Sequence, residues 1–281
     1  MKNILVPTDF SINAYDALFY ATRLFKNQPC TFYILHTFEV PLGIINRDSD
    51  QAEKLKYDEA KKNSDQGLNE IKHRITRDCE DLQHSFKKLS ISNSLIPTIS
   101  RTIVFKNIDL VVMGTQGATG AKELFIGSNT VKVIQHIRQC SLLAVPAQME
   151  HSNSLKIAFS TGLDHFVSKQ ELTPLIEIAT IHESEIYILH IMEESLLSTL
   201  QKQNLERIKN HLKYNKNYVY RLPDRKSKVK VLSNFIEKEK INLLAMIRHE
   251  NSFMEKLIKE PTIKKMGYHS KVPFLVMPEA W

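Results

Sequence analysis

Asp109-Leu110-Val111-Val112-Met113-Gly114-Thr115-Gln116-Gly117, then nine residues, then Gly127-Ser128-Asn129-Thr130, is the stretch that decides how this chain reads. The apolar run 109–113 has the length and branching of a buried strand. Val131-Lys132-Val133-Ile134-Gln135-His136-Ile137 has helical spacing. The order is therefore strand, glycine-rich loop, helix N-terminus. Glycines let a backbone approach a ligand closely and adopt positive φ. The unpaired N–H groups of a helix start, aligned with its dipole, favour an anion. Ser128 and Thr130 add hydroxyl donors. This pattern suits a phosphate, and it equally suits an ordinary surface loop that needs turns.

The N-terminus supplies a second element. Asn3-Ile4-Leu5-Val6 is a short apolar strand ending in Pro7-Thr8-Asp9-Phe10-Ser11, and a helical pattern follows from about Asn13 to Phe25. In open α/β sheets ligands sit beyond the carboxyl ends of the strands, where the strand order reverses. Asp9 at such an end can bind a ribose hydroxyl or a phosphate-bound metal. It can also cap the first helix, alone or with Ser11.

Together the Ile4–Ser11 strand end, the Ile34-Leu35-His36 strand, the Gly-x-x-Gly-(nine)-Gly-Ser loop and the closing Ser141-Leu142-Leu143-Ala144-Val145-Pro146 strand resemble the universal stress protein family over residues 1–147. The loop spacing matches the ATP-binding branch of that family without a gap. The resemblance implies a five-stranded parallel sheet flanked by helices, of the adenine-nucleotide α-hydrolase-like type, with a nucleotide at the strand ends. By position, Pro7, Thr8 and Asp9 would line the adenosine side, with Asp9 also the candidate Mg²⁺ ligand. Thr37 would meet the adenine edge through its backbone. Met113, Gly114 and Gly117 would line the ribose and α-phosphate. Gly127, Ser128, Asn129 and Thr130 would hold the β- and γ-phosphates. ATP is the expected ligand, with ADP and AMP equally compatible. Gln116 stands where the family often has histidine, which leaves the loop backbone unaffected.

The chain carries the pattern twice. Tyr33-Ile34-Leu35-His36 returns as Tyr187-Ile188-Leu189-His190, and Asn3-Ile4-Leu5-Val6 as Lys156-Ile157-Ala158-Phe159. Asp109–Met113 returns as Asn242–Met246, and Leu143–Pro146 as Leu275–Pro278. Such self-similarity is the mark of a repeated unit. The expected fold class is α/β, with two tandem open parallel five-stranded sheets flanked by helices. The domains are 1–147, with the intact loop, and 155–281, a degenerate copy. The second copy is shorter, most simply by loss from the long helix read over Ser49–Cys79. The polar run Gln148–Ser154 is the linker. In the second copy Pro7-Thr8-Asp9 becomes Ser160-Thr161-Gly162, and Asp164 substitutes only if the turn is rebuilt. The loop becomes Ile247–Phe253, without glycine, where Arg248 and Lys256 remain as cations. Each copy ends in a short apolar strand, Leu142–Pro146 and Pro273–Pro278. Exposed edges need cover, so the two are expected to pair as an internal pseudo-dimer. Pairing between chains, giving a homodimer, stays open.

Hydrophobic content of 42% and charged content of 25% fit a globular protein. No apolar run reaches the length of a membrane span, and the first strand begins at residue 3, so no signal segment and no membrane contact are expected. Cys30, Cys79 and Cys140 have no metal spacing, which fits reduced thiols in a cytoplasmic protein. The net charge of +7 concentrates between Lys202 and Lys240, where twelve Lys or Arg meet four acids. With Tyr214, Tyr218 and Tyr220 this tract could bind nucleic acid. A solvated helix, loop and edge strand is favoured over that. The Asp50–Asp81 tract reads as an exposed helix supported by side-chain ion pairs.

Three function classes follow. The first is a stress-response protein binding ATP with Mg²⁺ in its first copy, as a signal or switch and not an enzyme, with slow ATP hydrolysis left open. The second is a partner-docking module independent of nucleotide. The third is an adenylyl-transferring enzyme, ranked last because Pro7–Ser11 lacks the extra basic or histidine motif such enzymes carry.

Overall fold

The computed structural model describes residues 1–40, 49–79, 83–115, 127–149, 152, 154–192, 196–223, 228–249 and 272–279, with side chains of the longest helix described from residue 53. The first half runs β1 (Lys2–Pro7), α1 (Ile12–Leu24), β2 (Cys30–Phe38), α2 (Ser49–Asp78), β3 (Ser85–Ser92), α3 (Leu95–Lys106), β4 (Leu110–Gly114), α4 (Ser128–His136) and β5 (Ser141–Val145). The second runs β6 (Lys156–Ser160), α5 (Lys169–Ile181), β7 (Glu185–Met192), α6 (Thr199–His211), β8 (Asn217–Pro223), α7 (Lys228–Glu239), β9 (Leu243–Arg248) and β10 (Phe274–Pro278).

The strands form one sheet in the order β3-β2-β1-β4-β5-β10-β9-β6-β7-β8. Pairing is parallel within each half. It is antiparallel only at the central seam, where Leu275 faces Leu143 and Val276 faces Leu142. The two expected five-stranded sheets are thus joined edge to edge, and neither β5 nor β10 is left as an open edge.

Alternation along the strands fills two layers. Ile4, Val6, Ile34, Val112, Leu143, Ile157 and Phe159 face α1, α2, α5 and α6. Leu5, Leu35, Val111, Met113, Leu189 and Leu244 face α3, α4 and α7. Both faces being covered explains why the strands read as near-continuous apolar runs.

Local turns repeat between the halves. The Thr8 N–H donates to the Leu35 carbonyl at 2.8 Å and the Thr161 N–H to the Leu189 carbonyl at 3.0 Å. Thr8 Oγ1 accepts from Phe10 N at 3.0 Å, and Thr161 Oγ1 from Leu163 N at 3.1 Å. Phe10 (φ 64°) and Leu163 (φ 60°) share the left-handed conformation, uncommon for such side chains. Asp109 N donates to the Asn3 carbonyl at 2.9 Å, as Asn242 N does to Lys156 at 2.8 Å.

Two helices differ from their sequence reading. α2 is not simply exposed: Ser64, Leu68, Ile71 and Ile75 form a buried stripe at helical spacing, while Lys61 pairs with Asp65 and Arg74 with Asp78. α4 starts at Ser128, three residues before its apolar periodicity begins. α6, with 13 residues against 30 in α2, is the shorter counterpart.

Across the seam, Arg248 donates to the carbonyls of Ile134 and Gln135 in the last turn of α4. A guanidinium at a helix C-terminus satisfies orphan carbonyls and suits the dipole. Arg248 is therefore spent on the other half and is not displayed as an anion-binding cation. Lys256 lies outside the described residues. Lys2 pairs with Glu177, and buried His182 donates from Nε2 to the Leu24 carbonyl at 2.7 Å.

The basic tract spans α6, β8 and α7. Tyr220 is packed on Tyr187 and Phe235, with ring centroids 5.6 and 5.0 Å away. Tyr214 is exposed. Among the described residues no helix is long and apolar enough to cross a membrane.

Candidate functional site

Strand order 3-2-1-4-5 makes β1 and β4 the switch point of the first half, so a crevice opens beyond Pro7 and Gly114. Pro7 is buried at the end of β1, Thr8 half-buried, and Asp9 exposed. Asp9 Oδ1 accepts from Ser11 N at 3.1 Å, and Ser11 Oγ in turn caps α1 by accepting from Ala14 N at 3.2 Å. Of the two capping candidates, Ser11 is the one that caps the helix. Asp9 folds the turn before it, with its carboxyl group at the crevice mouth.

The Leu35 carbonyl faces β1, since it accepts from Thr8. In a strand the residue two further on faces the same side. Thr37 thus turns its backbone groups toward the space past the end of β1. Its strand continues to Phe38, paired with β3.

Gly114 is a glycine because of a close approach. A Cβ there would lie 2.3 Å from Asn13 Oδ1 and 2.9 Å from the Asn13 carbonyl. Gly127, the N-cap of α4, has φ −56°, so it does not use the positive φ that glycine permits. Met113 is buried, with its side chain in the layer beside Val111. Thr130 is 2% exposed and donates its hydroxyl to the Gly114 carbonyl at 2.8 Å. That hydroxyl ties α4 to β4. Ser128 and Asn129 are exposed, and no side chain caps the α4 N-terminus among the described residues. Gly127 N donates to the Thr115 carbonyl, which joins the start of α4 to the end of β4. Gln116 and Gly117 lie outside the described residues.

The sequence did not single out the wall of this crevice. Phe10 packs on His36 with centroids 4.2 Å apart, His36 stacks on Phe38, and Phe38 meets Tyr57. Phe10 also lies against Gly67 of α2, where a Cβ would come within 2.7 Å of its ring. Tyr33-Ile34-Leu35-His36 marked the strand, but only tertiary packing brings Phe10 and Tyr57 to it. His36 Nδ1 is 2.8 Å from Ser64 Oγ, which is 2.7 Å from Ser90 Oγ.

Burial pushes the His36 pKa below 6.5, opposed by the nearby Asp9 carboxylate. The ring is therefore neutral near pH 7. The unfolded chain takes up the proton more readily, so this contribution is full above pH 6.5 and is lost on acidification through the window below it. The melting temperature is expected to fall between pH 7.5 and 5.5, and to fall less in a His36→Gln variant. Equal acid sensitivity in the two proteins would refute the assignment. The Cys30 thiol, by contrast, is pushed by burial up to about 11 and that of Cys140 to about 12, so both are inert and structural.

In the second half, Gly162 stands where Asp9 does. The Asp164 carboxylate folds back so that a Cβ on Gly162 would be 2.6 Å from it, and it accepts from Gln201 Nε2 at 2.9 Å.

A family profile described as the universal stress protein family matches residues 1–146. The universal stress protein MJ0577 of Methanocaldococcus jannaschii is 25% identical over 145 residues, covering 48% of this chain and 88% of that protein. A crystal structure of a universal stress protein from Archaeoglobus fulgidus superposes with a TM-score of 0.63 at 16% identity, covering 99% of this chain and 96% of that one. The cytoplasmic domain of a prokaryotic cation chloride cotransporter gives 0.58 at 8% identity, covering 99% and 95%. At such identities the structures share a fold, and a fold hosts many functions.

Proposed function

Because the chain belongs to the universal stress protein family, we propose that it is a tandem member that binds ATP with Mg²⁺ in its first half, as a cytosolic signal or conformational switch. The observation that carries this reading is the first turn of α4, which no described side chain caps, opening at the β1/β4 switch point with Ser128 and Asn129 exposed. Amide groups there offer an anion site aligned with the helix dipole. Ser128 adds a hydroxyl. The Thr37 backbone faces the position for an adenine edge, and Pro7 and Thr8 line the adenosine side. The backbone at Met113 and Gly114 lines the ribose side. The exposed carboxylate of Asp9 fits Mg²⁺, which is commonly held by one or two carboxylates together with ligand phosphates. In this proposal the ion neutralises phosphate charge, and the chain's own groups bind and orient the nucleotide. Rapid turnover is no part of it, since the sequence supplies no evident arginine finger.

The second half reads as a degenerate copy. Its turns repeat those of the first, but the carboxylate is displaced to Asp164 and Arg248 is used in the seam.

Calorimetry on the full chain, with and without Mg²⁺, tests this. Saturable binding of one ATP per chain is expected, abolished by Gly117→Val with an unchanged melting temperature. Two sites would restore function to the second crevice. A folded protein that binds no ATP would move the reading to partner docking.

A further inference from the structure

The crevice of the second half carries donors of the opposite kind. It opens at the β6/β9 switch point. His249 is the residue after β9, Glu279 the residue after β10, and His165 lies in the turn between β6 and α5. One ligand atom from each lies within 4.8 Å of the others. His249 is buried and the other two are exposed.

We infer that His165, His249 and Glu279 form a binding site for a divalent transition-metal ion of the zinc class. His249 Nδ1 lies 3.2 Å from Glu279 Oε1, yet this buried nitrogen has no hydrogen-bond partner among the described residues. A buried polar atom without a partner is costly. Two ligands of one tetrahedral zinc, each about 2.0–2.2 Å from the ion, sit about 3.3–3.6 Å from each other, close to this separation. The His165 and His249 rings are stacked, with centroids 4.4 Å apart and planes 14° from parallel. Parallel rings cannot both aim at one ion, so His165 must rotate about its side-chain torsions, which its exposed place in the turn allows. Two imidazoles and a carboxylate leave a fourth tetrahedral position for water. The guanidinium of Arg248, one residue before His249, is held away in the α4 carbonyls, which removes a competing positive charge.

The site is independent of the nucleotide reading, and its test uses no nucleotide. Full-length protein, stripped with chelator, is dialysed against Zn²⁺ and assayed by elemental analysis. Co²⁺ substitution adds the visible spectrum of a tetrahedral ion. One bound ion per chain is expected. His165→Ala and Glu279→Gln, both at exposed positions and so expected to keep the wild-type melting temperature without metal, should each weaken binding about tenfold or more, the scale on which zinc affinity answers even to changes around its ligands. No stoichiometric Zn²⁺ on the wild-type protein, or equal retention by the His165→Ala/Glu279→Gln double variant, would overturn the assignment and leave a simple histidine–carboxylate contact.

Discussion

Replacing Ser128 by glutamate is expected to lower ATP affinity by one to two orders of magnitude while leaving the melting temperature unchanged or slightly raised. The two effects come from one charge. Ser128 is the exposed first residue of α4, whose N-terminus no described side chain caps. A carboxylate in a first helical turn interacts favourably with the dipole, by about 0.3–1 kcal/mol. The same carboxylate would stand where the proposed phosphates approach. Like charges about 4 Å apart repel by about 1 kcal/mol in water and about 4 kcal/mol near a protein surface, and each 1.4 kcal/mol is about a factor of ten in affinity. Simple loss of the fold would lower both readouts together. Unchanged affinity in a stable Ser128→Glu protein would remove α4 from the nucleotide site.

Leu275→Ala is expected to cost about 2–5 kcal/mol of stability, the range for deleting a fully buried leucine side chain. Leu275 and Leu143 face each other across the antiparallel seam. Both are 0% exposed and belong to the same core layer, which continues through both halves. A cavity there therefore weakens both halves together. Urea unfolding of the full chain measures it. A loss below about 1 kcal/mol, ordinary for a substitution with no special mechanism, would mean that the seam closes an edge without being a core.

Much of this architecture was legible in the sequence because burial on both faces leaves a strong signature. The runs at 3–6, 33–36, 109–113 and 142–146, and their returns in the second half, are β1, β2, β4, β5 and their counterparts to within three residues at either end. The edge strands β3 and β8 were not among those runs: their burial alternates with exposure, which is a weaker signal. The amphipathic stripe of α2 was missed because the charged residues on its outer face dominate the composition.

At the site, positions could be placed from spacing alone: Gly114 ends β4, Gly127 precedes α4, and Ser128 and Asn129 lie in its first turn. Roles that depend on what a side chain touches could not. Thr130 read as a free hydroxyl donor, and its hydroxyl is committed to Gly114. Arg248 read as a free cation, and it caps α4 from the other half of the chain.

By itself, then, the sequence determined the fold class, the family and the position of a strand–glycine–helix junction. Periodicity and glycine spacing are local properties, and they are written residue by residue. Only the tertiary structure decided that the two sheets join at β5 and β10, that Phe10 meets His36 while Tyr57 meets Phe38, and that His165, His249 and Glu279 converge at one crevice. Those contacts join residues far apart in the chain, and the closeness of their atoms follows from packing that no local pattern records.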